Sequence, residues 1–234
     1  MNFAAESHVD NSISGPYVFF KTNVMGTVNL LELARKYNLR FHQISTDEVY
    51  GITYPTDSSD TNALKPSSPY SSSKASADLI ALSYYKTFGL NVTISRCSNN
   101  FGPWQHPEKL IPTIFRCLQD DKPIPVYGNG NQYRQWISVH DHNTAVRDII
   151  ENGIPGKIYN ISSNDAGYMT NLQLIEKICK LAGKNVKDSI QHVTDRPGHD
   201  TSYYIYNMGK MPLIVRSTID KQLEETFNWY MEKL

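Results

Sequence analysis

No sign of charge predominates in this chain of 234 residues: 23 Lys and Arg face 23 Asp and Glu, and the formal net charge is zero. Proteins that hold nucleic acid by neutralising phosphates carry an excess of basic residues, so the balance argues against that class. Cysteine is scarce. Cys97, Cys117 and Cys179 are odd in number and far apart, which fits free thiols of a reducing compartment better than a disulfide framework. No apolar run approaches the roughly 20 residues that span a bilayer, and the N-terminus has no signal-peptide pattern. The expectation is a soluble, cytoplasmic protein. Internal repeats and low-complexity segments are absent, as is any G-x-x-G-x-x-G turn. What is present points to a folded chain: 40% hydrophobic and 20% charged residues, in a length that makes one large domain or one and a half small ones. The 15 tyrosines exceed what a core needs and suit a surface that recognises polar, ring-shaped ligands.

The stretch around which the rest is arranged is Ser45-Thr46-Asp47-Glu48-Val49-Tyr50-Gly51. Arg40 to Thr46 reads as a β-strand, so the two adjacent carboxylates stand at its carboxyl end, where open α/β sheets bind ligands. The second piece is Tyr70-Ser71-Ser72-Ser73-Lys74. On a helix, positions i and i+4 share a face, and an ammonium beside a phenol favours the phenolate. A Tyr70 with a lowered pKa is a usable base toward a sugar hydroxyl. A Y-x-x-x-K alone or an Asp-Glu pair alone carries little; their conjunction in order, strand, TDE, loop, YxxxK helix, strand, points to chemistry.

Around these pieces the chain reads as alternating strands and helices. Met1 to Ala5 has the look of a strand's last residues, and Glu6 to Ser12 of a polar loop. Asn23 to Tyr37 is an amphipathic helix. Thr53 to Pro69 reads as a surface loop, and the YxxxK helix runs from about Ser72 to Phe88, stopped by Gly89. Asn91 to Arg96 is the next strand, and Cys97 to Pro103 follows at its end, where Asn99 and Asn100 either bind a ligand or make a turn. A helix opens at Glu108, with Lys109 placed to meet a phosphate or to stay solvated. Pro123 to Gly130 is a strand and turn. Arg134, beside aromatics, suits a phosphate, a base or a structural ion pair. His8 and the His140-Asp141-His142 run lack further ligands at metal-binding spacing, so they read as loop and cap residues and no metal is expected. Ile158 to Ile161 is a strand, Thr170 with Gln173 a capping box, Asp195 to Asp200 a charged turn whose Arg196 can clamp a diphosphate, and Ile219 to Met231 a last helix.

These residues resemble the extended short-chain dehydrogenase/reductase family and, within it, the dTDP-glucose 4,6-dehydratases. The matching stretches are AAESHVDNSI (4–13), STDEVYG (45–51), PYSSSKASAD (69–78), SNNFGP (98–103), PEKLIP (107–112), YGNGNQYRQW (127–136) and DRPGHD (195–200). The resemblance implies a partial Rossmann-type doubly wound parallel α/β sheet. Residues 1–100 would form the C-terminal part of an NAD-binding domain. Residues 101–234 would mainly form a nucleotide-sugar-binding domain, with some segments returning to the sheet. It implies NAD as cofactor and a dTDP-glucose-like substrate. In that family reaction Tyr70 takes the proton of the sugar C4 hydroxyl, Lys74 holds the nicotinamide ribose, Thr46 binds the C4 oxygen, Glu48 removes the C5 proton and Asp47 protonates the departing C6 hydroxyl. Ala4, Ser45 and Ser98 match the cofactor groove. Ser7, Asn99, Lys109, Arg134, Arg196 and His199 match positions around the nucleotide diphosphate, and Tyr127 the base side. The resemblance also implies a homodimer paired through two helices, one of them the YxxxK helix.

Two departures accompany it. The family's Gly-rich turn and its first βαβαβ half have no counterpart in this sequence, so the pyrophosphate clamp on NAD is expected to be missing and the sheet edge exposed. A separate N-terminal piece is a possible partner for that edge, and the chain by itself is expected to be a poor catalyst. Lys210-Met211-Pro212-Leu213 departs from the family's helical continuation. Three readings follow: a nucleotide-sugar dehydratase, a non-catalytic fragment or interaction module of the same fold, and a UDP-sugar dehydratase, epimerase or decarboxylase relative. The Asp47-Glu48 pair favours the first over the third, and the intact set of Thr46, Asp47, Glu48, Tyr70 and Lys74 argues against decay.

Overall fold

The computed structural model describes residues 1–56, 63–207 and 217–233, with no side-chain description at 164–165. The Lys210 to Leu213 stretch, and residues 57–62 of the Thr53 to Pro69 loop, lie outside the described residues.

In chain order the elements begin with α1 (Val9–Ser14), α2 (Pro16–Phe19), a π-helical turn (Phe20–Met25) and α3 (Gly26–Lys36). The stretch read as a polar loop therefore turns helical at Val9. His8 is the reason: its side chain accepts from the Asn11 amide and caps the first turn. The helix expected from Asn23 begins earlier, through the π-turn. β1 (Phe41–Thr46) follows and passes into a 3-10 turn, Asp47–Tyr50. The YxxxK helix, α4 (Pro69–Phe88), starts three residues before the expected Ser72. Pro69 occupies the first helical position, and Ser68 and Ser71 form a reciprocal cap. Gly89 closes the helix in the left-handed conformation, φ 66°, as its residue type and position require.

β2 (Val92–Cys97) leads into β3 (Asn99–Phe101), a short strand where a turn was an open reading. Then come α5 (Leu110–Gln119), β4 (Ile124–Tyr127), β5 (Tyr133–Ser138), α6 (Val139–Asn152), β6 (Ile158–Ile161), β7 (Tyr168–Thr170), α7 (Asn171–Leu181), α8 (Val186–Ser189), β8 (Ile190–Val193) and α9 (Ile219–Lys233). The capping box at Thr170 and Gln173 is present. β8 lacks alternating hydrophobics, so its pattern gives no strand signal. It pairs in parallel with β4.

The principal sheet is parallel, in the order β1-β2-β6. Asn2 adds a single parallel bridge to Gln43 at the β1 edge. Every residue of β1 is buried, because both sheet faces are covered. Leu31 and Ala34 of α3 and Ala81 of α4 pack on Phe41, Val92 and Ile94. On the opposite face, Val146 and Ile149 of α6 pack on Ile44, Tyr159 and Ile161. Each such aliphatic side chain contributes roughly 1.5–3 kcal/mol by leaving water. The molecule is thus α/β with a doubly covered parallel sheet. A second core, built on Phe101, Ile111, Phe115, Trp136, Leu174 and Leu223, joins α5, α7 and α9 to β3 and β5. The short sheets β3-β5-β7 and β4-β8 lie in this part of the chain.

Candidate active site

Thr46 ends β1 with extended backbone, and its hydroxyl accepts from the Glu48 amide at 3.3 Å, starting the 3-10 turn. The same hydroxyl donates to Asp47 Oδ1 at 3.1 Å. Gly51 ends the turn at φ 72°, and a Cβ there would run into the Lys65 carbonyl oxygen, so the glycine that closes the motif is required by geometry. Asp47 is 1% exposed, and its Oδ2 has no hydrogen-bond partner among the described residues. Burial and the neighbouring Glu48 push its pKa up to about 7. Burial also raises Glu48, against the pull of Arg134, Arg196 and Lys109. Adjacent acids with different environments are the arrangement from which one acid and one base arise.

Tyr70 and Lys74 sit on the buried side of α4. The Tyr70 phenol feels Glu48, Cys97 and Asp47 as well as the Thr46 hydroxyl, so phenol, hydroxyl and both carboxylates share one place. The electrostatic expectation for Tyr70 is overturned. Burial, then Glu48, pushes its pKa well above the ordinary value, and Lys74 does not offset them. The reason is where the ammonium goes: Lys74 Nζ donates to the Ile44 carbonyl at 2.7 Å, and it faces Asp78 and Cys97. A shared helix face brought the two residues into one region without pairing their polar ends.

Beside Glu48 opens a cavity of about 360 Å³. Ser7, Asn99, Lys109, Tyr127, Arg134, Arg196 and His199 all line it, so the residues expected to hold the substrate converge. Arg134 is buried and fixed: Nη1 donates to the Tyr133 carbonyl at 2.7 Å, Nη2 to the Asp200 carbonyl at 3.0 Å, and the guanidinium lies 4.3 Å from the Tyr203 ring centre. Lys109 Nζ donates to the Ser7 carbonyl at 2.8 Å, and the His199 ring bonds Asp195 at 2.6 Å. Of the residues expected along the cofactor, Ser45 and Ser98 are buried with hydroxyls that meet no partner at hydrogen-bond distance. Ala4 lies two residues beyond the bridge at Asn2 and is exposed. No cluster of three or more potential metal ligands occurs among the described residues. The His140 to His142 run lies in the first turn of α6, where Asp141 accepts from Gln222 Nε2 at 2.6 Å.

Sequence reasoning missed several contributors. Asp10 accepts from Tyr127 Oη at 3.0 Å and from Arg196 Nη1 at 3.2 Å, tying α1 to both sides of the cavity. Trp136 Nε1 and Asn171 Oδ1 belong to cavity-lining residues and have no partners among the described residues. Asn23 exchanges two backbone bonds with Glu6, at 2.9 and 3.0 Å, and donates to Ser73 Oγ at 2.8 Å. It lies in the π-turn, a feature often found near functional sites. The one legible signal was that a polar Asn interrupts the apolar face of a helix.

The sequence profile of the family described as GDP-mannose 4,6 dehydratase matches residues 1–211. The dTDP-glucose 4,6-dehydratase of Salmonella typhimurium is 40% identical over 264 residues, an alignment spanning 99% of this chain and 72% of that protein. The enzyme of the same name from Streptomyces niveus is 41% identical over 99% of this chain and 69% of its own. The chain belongs to the dTDP-glucose 4,6-dehydratase family. Among solved structures, the Streptomyces venezuelae dehydratase DesIV, with NAD bound, superposes with a TM-score of 0.93 at 39% identity, covering 98% of this chain and 72% of that one. The Bacillus anthracis dTDP-glucose 4,6-dehydratase in complex with NAD gives 0.87 at 43% identity, covering 99% and 71%. The UDP-glucose 4-epimerase of Thermus thermophilus, at 22% identity and a TM-score of 0.89, shares the fold alone.

Proposed function

We propose that this chain carries the substrate-binding and acid–base machinery of an NAD-dependent dehydratase that converts dTDP-glucose to dTDP-4-keto-6-deoxyglucose. The observation that carries this reading is the meeting of Tyr70, Thr46, Asp47 and Glu48 beside a cavity lined by Lys109, Arg134 and Arg196. A sugar nucleotide needs that combination: cations for the diphosphate at one end, proton donors and acceptors for the hexose at the other. Tyr70 takes the C4 hydroxyl proton, with Thr46 orienting the oxygen. Glu48 removes the proton on C5, which a C4 ketone acidifies. Asp47, still protonated near neutral pH, gives its proton to the leaving C6 hydroxyl.

The residues present fit the nicotinamide side of NAD: the Ser45 and Ser98 hydroxyls are buried and unpartnered, and the Lys74 ammonium stands one helical turn from Tyr70. NAD, when bound, would accept hydride from C4 and return it to C6, and its positive nicotinamide ring favours the Tyr70 phenolate. No Gly-rich turn for the pyrophosphate lies within residues 1–234. A segment carrying such a turn along the β1 edge, of this protein or of another polypeptide, would complete the grip. We further infer a cytoplasmic homodimer, with Leu79 and Phe88 of α4 and Leu33 of α3, each at least half exposed, as its apolar face.

The test is incubation with dTDP-glucose and NAD, with and without an added polypeptide bearing the Gly-rich half, and analysis of the product by NMR. The 4-keto-6-deoxy sugar is expected, appearing faster with the complement. A 4-epimer as sole product would replace this reading with the epimerase one, and failure of the chain to bind dTDP at all would abandon it.

A further inference from the structure

One turn beyond Lys74 on α4 stands a charge pair the chemistry above does not use. Asp78 is 0% exposed, and Arg96 of β2 is 4% exposed. Arg96 Nε donates to Asp78 Oδ2 at 2.9 Å. The Arg96 guanidinium also lies 4.7 Å from the centre of the Tyr50 ring, and Tyr50 Oη donates to Asn160 Oδ1 on β6 at 2.9 Å. Asp78 Oδ1 meets no donor at hydrogen-bond distance. A buried ion pair of this kind is weak evidence for stability, because desolvation cancels most of its attraction. Its position is more informative than its energy.

The ammonium of Lys74 is itself buried, 5% exposed, and burial disfavours its charged form. The groups facing it can be named element by element. On α4 they are Asp78, four residues on, and Tyr70, four residues back. From β2 comes the Cys97 thiol, which burial keeps protonated by raising its pKa to about 12. From β1 comes only the Ile44 carbonyl. Asp47, in the 3-10 turn, acts on Cys97 rather than on Lys74. Among these, Asp78 is the anion.

We propose that Asp78, clamped by Arg96, is the positioning residue that keeps Lys74 charged and holds it at the end of β1. Arg96 fixes one carboxylate oxygen, and Asp78 shares the buried face of α4 with Lys74, four residues earlier. The clamp also ties α4 to β2, and through Tyr50 to β6, so helix and sheet cannot shift against each other without breaking it. Burial opposes ionisation of Asp78, and Arg96 counters that opposition. This role rests on the dehydratase reading for its purpose, but the charge state of Lys74 can be measured without turnover.

The experiment is an NMR pH titration of the chain with isotope-labelled lysine, the Lys74 signal being assigned by its loss in Lys74→Arg. In Asp78→Asn the Lys74 midpoint is expected to fall by about one pH unit or more, as removal of an adjacent opposite charge dictates. Asp78→Glu is expected to restore most of it. Should Asp78→Asn not fold with Arg96 left unpaired, the double variant Asp78→Asn/Arg96→Gln removes both charges together. Removing the Arg96 cation offsets part of the lost attraction, so a smaller fall in the same direction is expected there. A Lys74 midpoint unmoved in whichever of these variants folds overturns the proposal. Product formation from dTDP-glucose is scored separately, so loss of the dehydratase reading and loss of this one leave different traces.

Discussion

The Thr46 hydroxyl donates to Asp47 Oδ1, and the other Asp47 oxygen is buried with nothing to bond. A carboxyl held that way resists ionisation, since one oxygen has a single neutral donor and the other has none. Glu48, next in sequence, faces the cations of the cavity instead. Burial raises both acids, but only Glu48 is drawn back by cations, so the two neighbours have different environments.

Asp47→Asn is expected to slow water elimination by about 100- to 10,000-fold, the usual worth of a positioned acid, while dTDP affinity stays within about twofold. The Asp47 pKa also makes a stability statement. It is raised from an ordinary 3.8 to about 7, so between those values the folded state binds a proton the unfolded state does not, and stability falls as pH rises through the window. Asp47→Asn abolishes that fall, which amounts at most to about 1.4 kcal/mol for each pH unit crossed. The variant is therefore expected to melt higher than the parent at about pH 8 and alongside it at about pH 4. Equal melting temperatures at both would show that Asp47 ionises normally.

Arg134→Lys keeps the charge and loses the fork. The guanidinium bridges the Tyr133 and Asp200 carbonyls and lies on the Tyr203 ring, and one ammonium cannot make all three contacts. The dTDP affinity measured by calorimetry is expected to drop about 10- to 100-fold, the worth of one charge-assisted bond. Retained affinity would assign Arg134 to structure rather than to the diphosphate.

Much of this site was legible because short-range rules fixed it. Period-two and helical patterns located β1, β2 and α4, and the capping residues Thr170 and Gly89 behave as their types require, whereas the cap at Ser68 was read as loop. Ser7, Lys109 and Arg196 are widely separated in sequence, and their meeting at one cavity followed from the family resemblance rather than from any local rule. What escaped was decided by tertiary contact. Asp10 looked like a loop residue because nothing in its neighbourhood names Tyr127 or Arg196 as partners. β8 is a strand only because β4 offers it an edge. The Tyr70 pKa went the other way because burial outweighs a cation whose hydrogen bond is spent elsewhere.

Asn23 should be costly to remove. Asn23→Ala leaves the Glu6 amide and carbonyl without their partner and takes one bond from the Ser73 hydroxyl, which still donates to the Tyr70 carbonyl, an expected loss of roughly 2–4 kcal/mol. Hydrogen exchange at the Glu6 amide should accelerate with it. Glu6 precedes Ser7, which lines the cavity, so dTDP affinity should weaken as well. An unchanged Glu6 exchange rate would mean that the bridge adds nothing to order in this segment.

Acid should unfold the protein through two histidines before most carboxylates titrate. His42, in the middle of β1, uses both ring nitrogens on Thr93 and Ser95, at 2.8 and 3.1 Å, and burial lowers its pKa to about 3. His142, on α6 against the same sheet face, is lowered to about 4 by burial alone, with Nε2 unpartnered. An unfolded imidazole takes its proton near pH 6.5. Below that value the unfolded state binds protons the folded state refuses, so stability is fully present above about pH 6.5 and lost as pH falls toward the folded values. In Asp47→Asn, which lacks the opposing gain from Asp47 protonation, the melting temperature is expected to drop between about pH 7 and pH 5, a range in which ordinary carboxylates are still ionised. His142→Leu removes one of the two proton acceptors and an orphaned nitrogen, so its drop should be the shallower. An Asp47→Asn protein whose melting temperature stays flat across that interval would mean that both imidazoles already titrate normally in the fold.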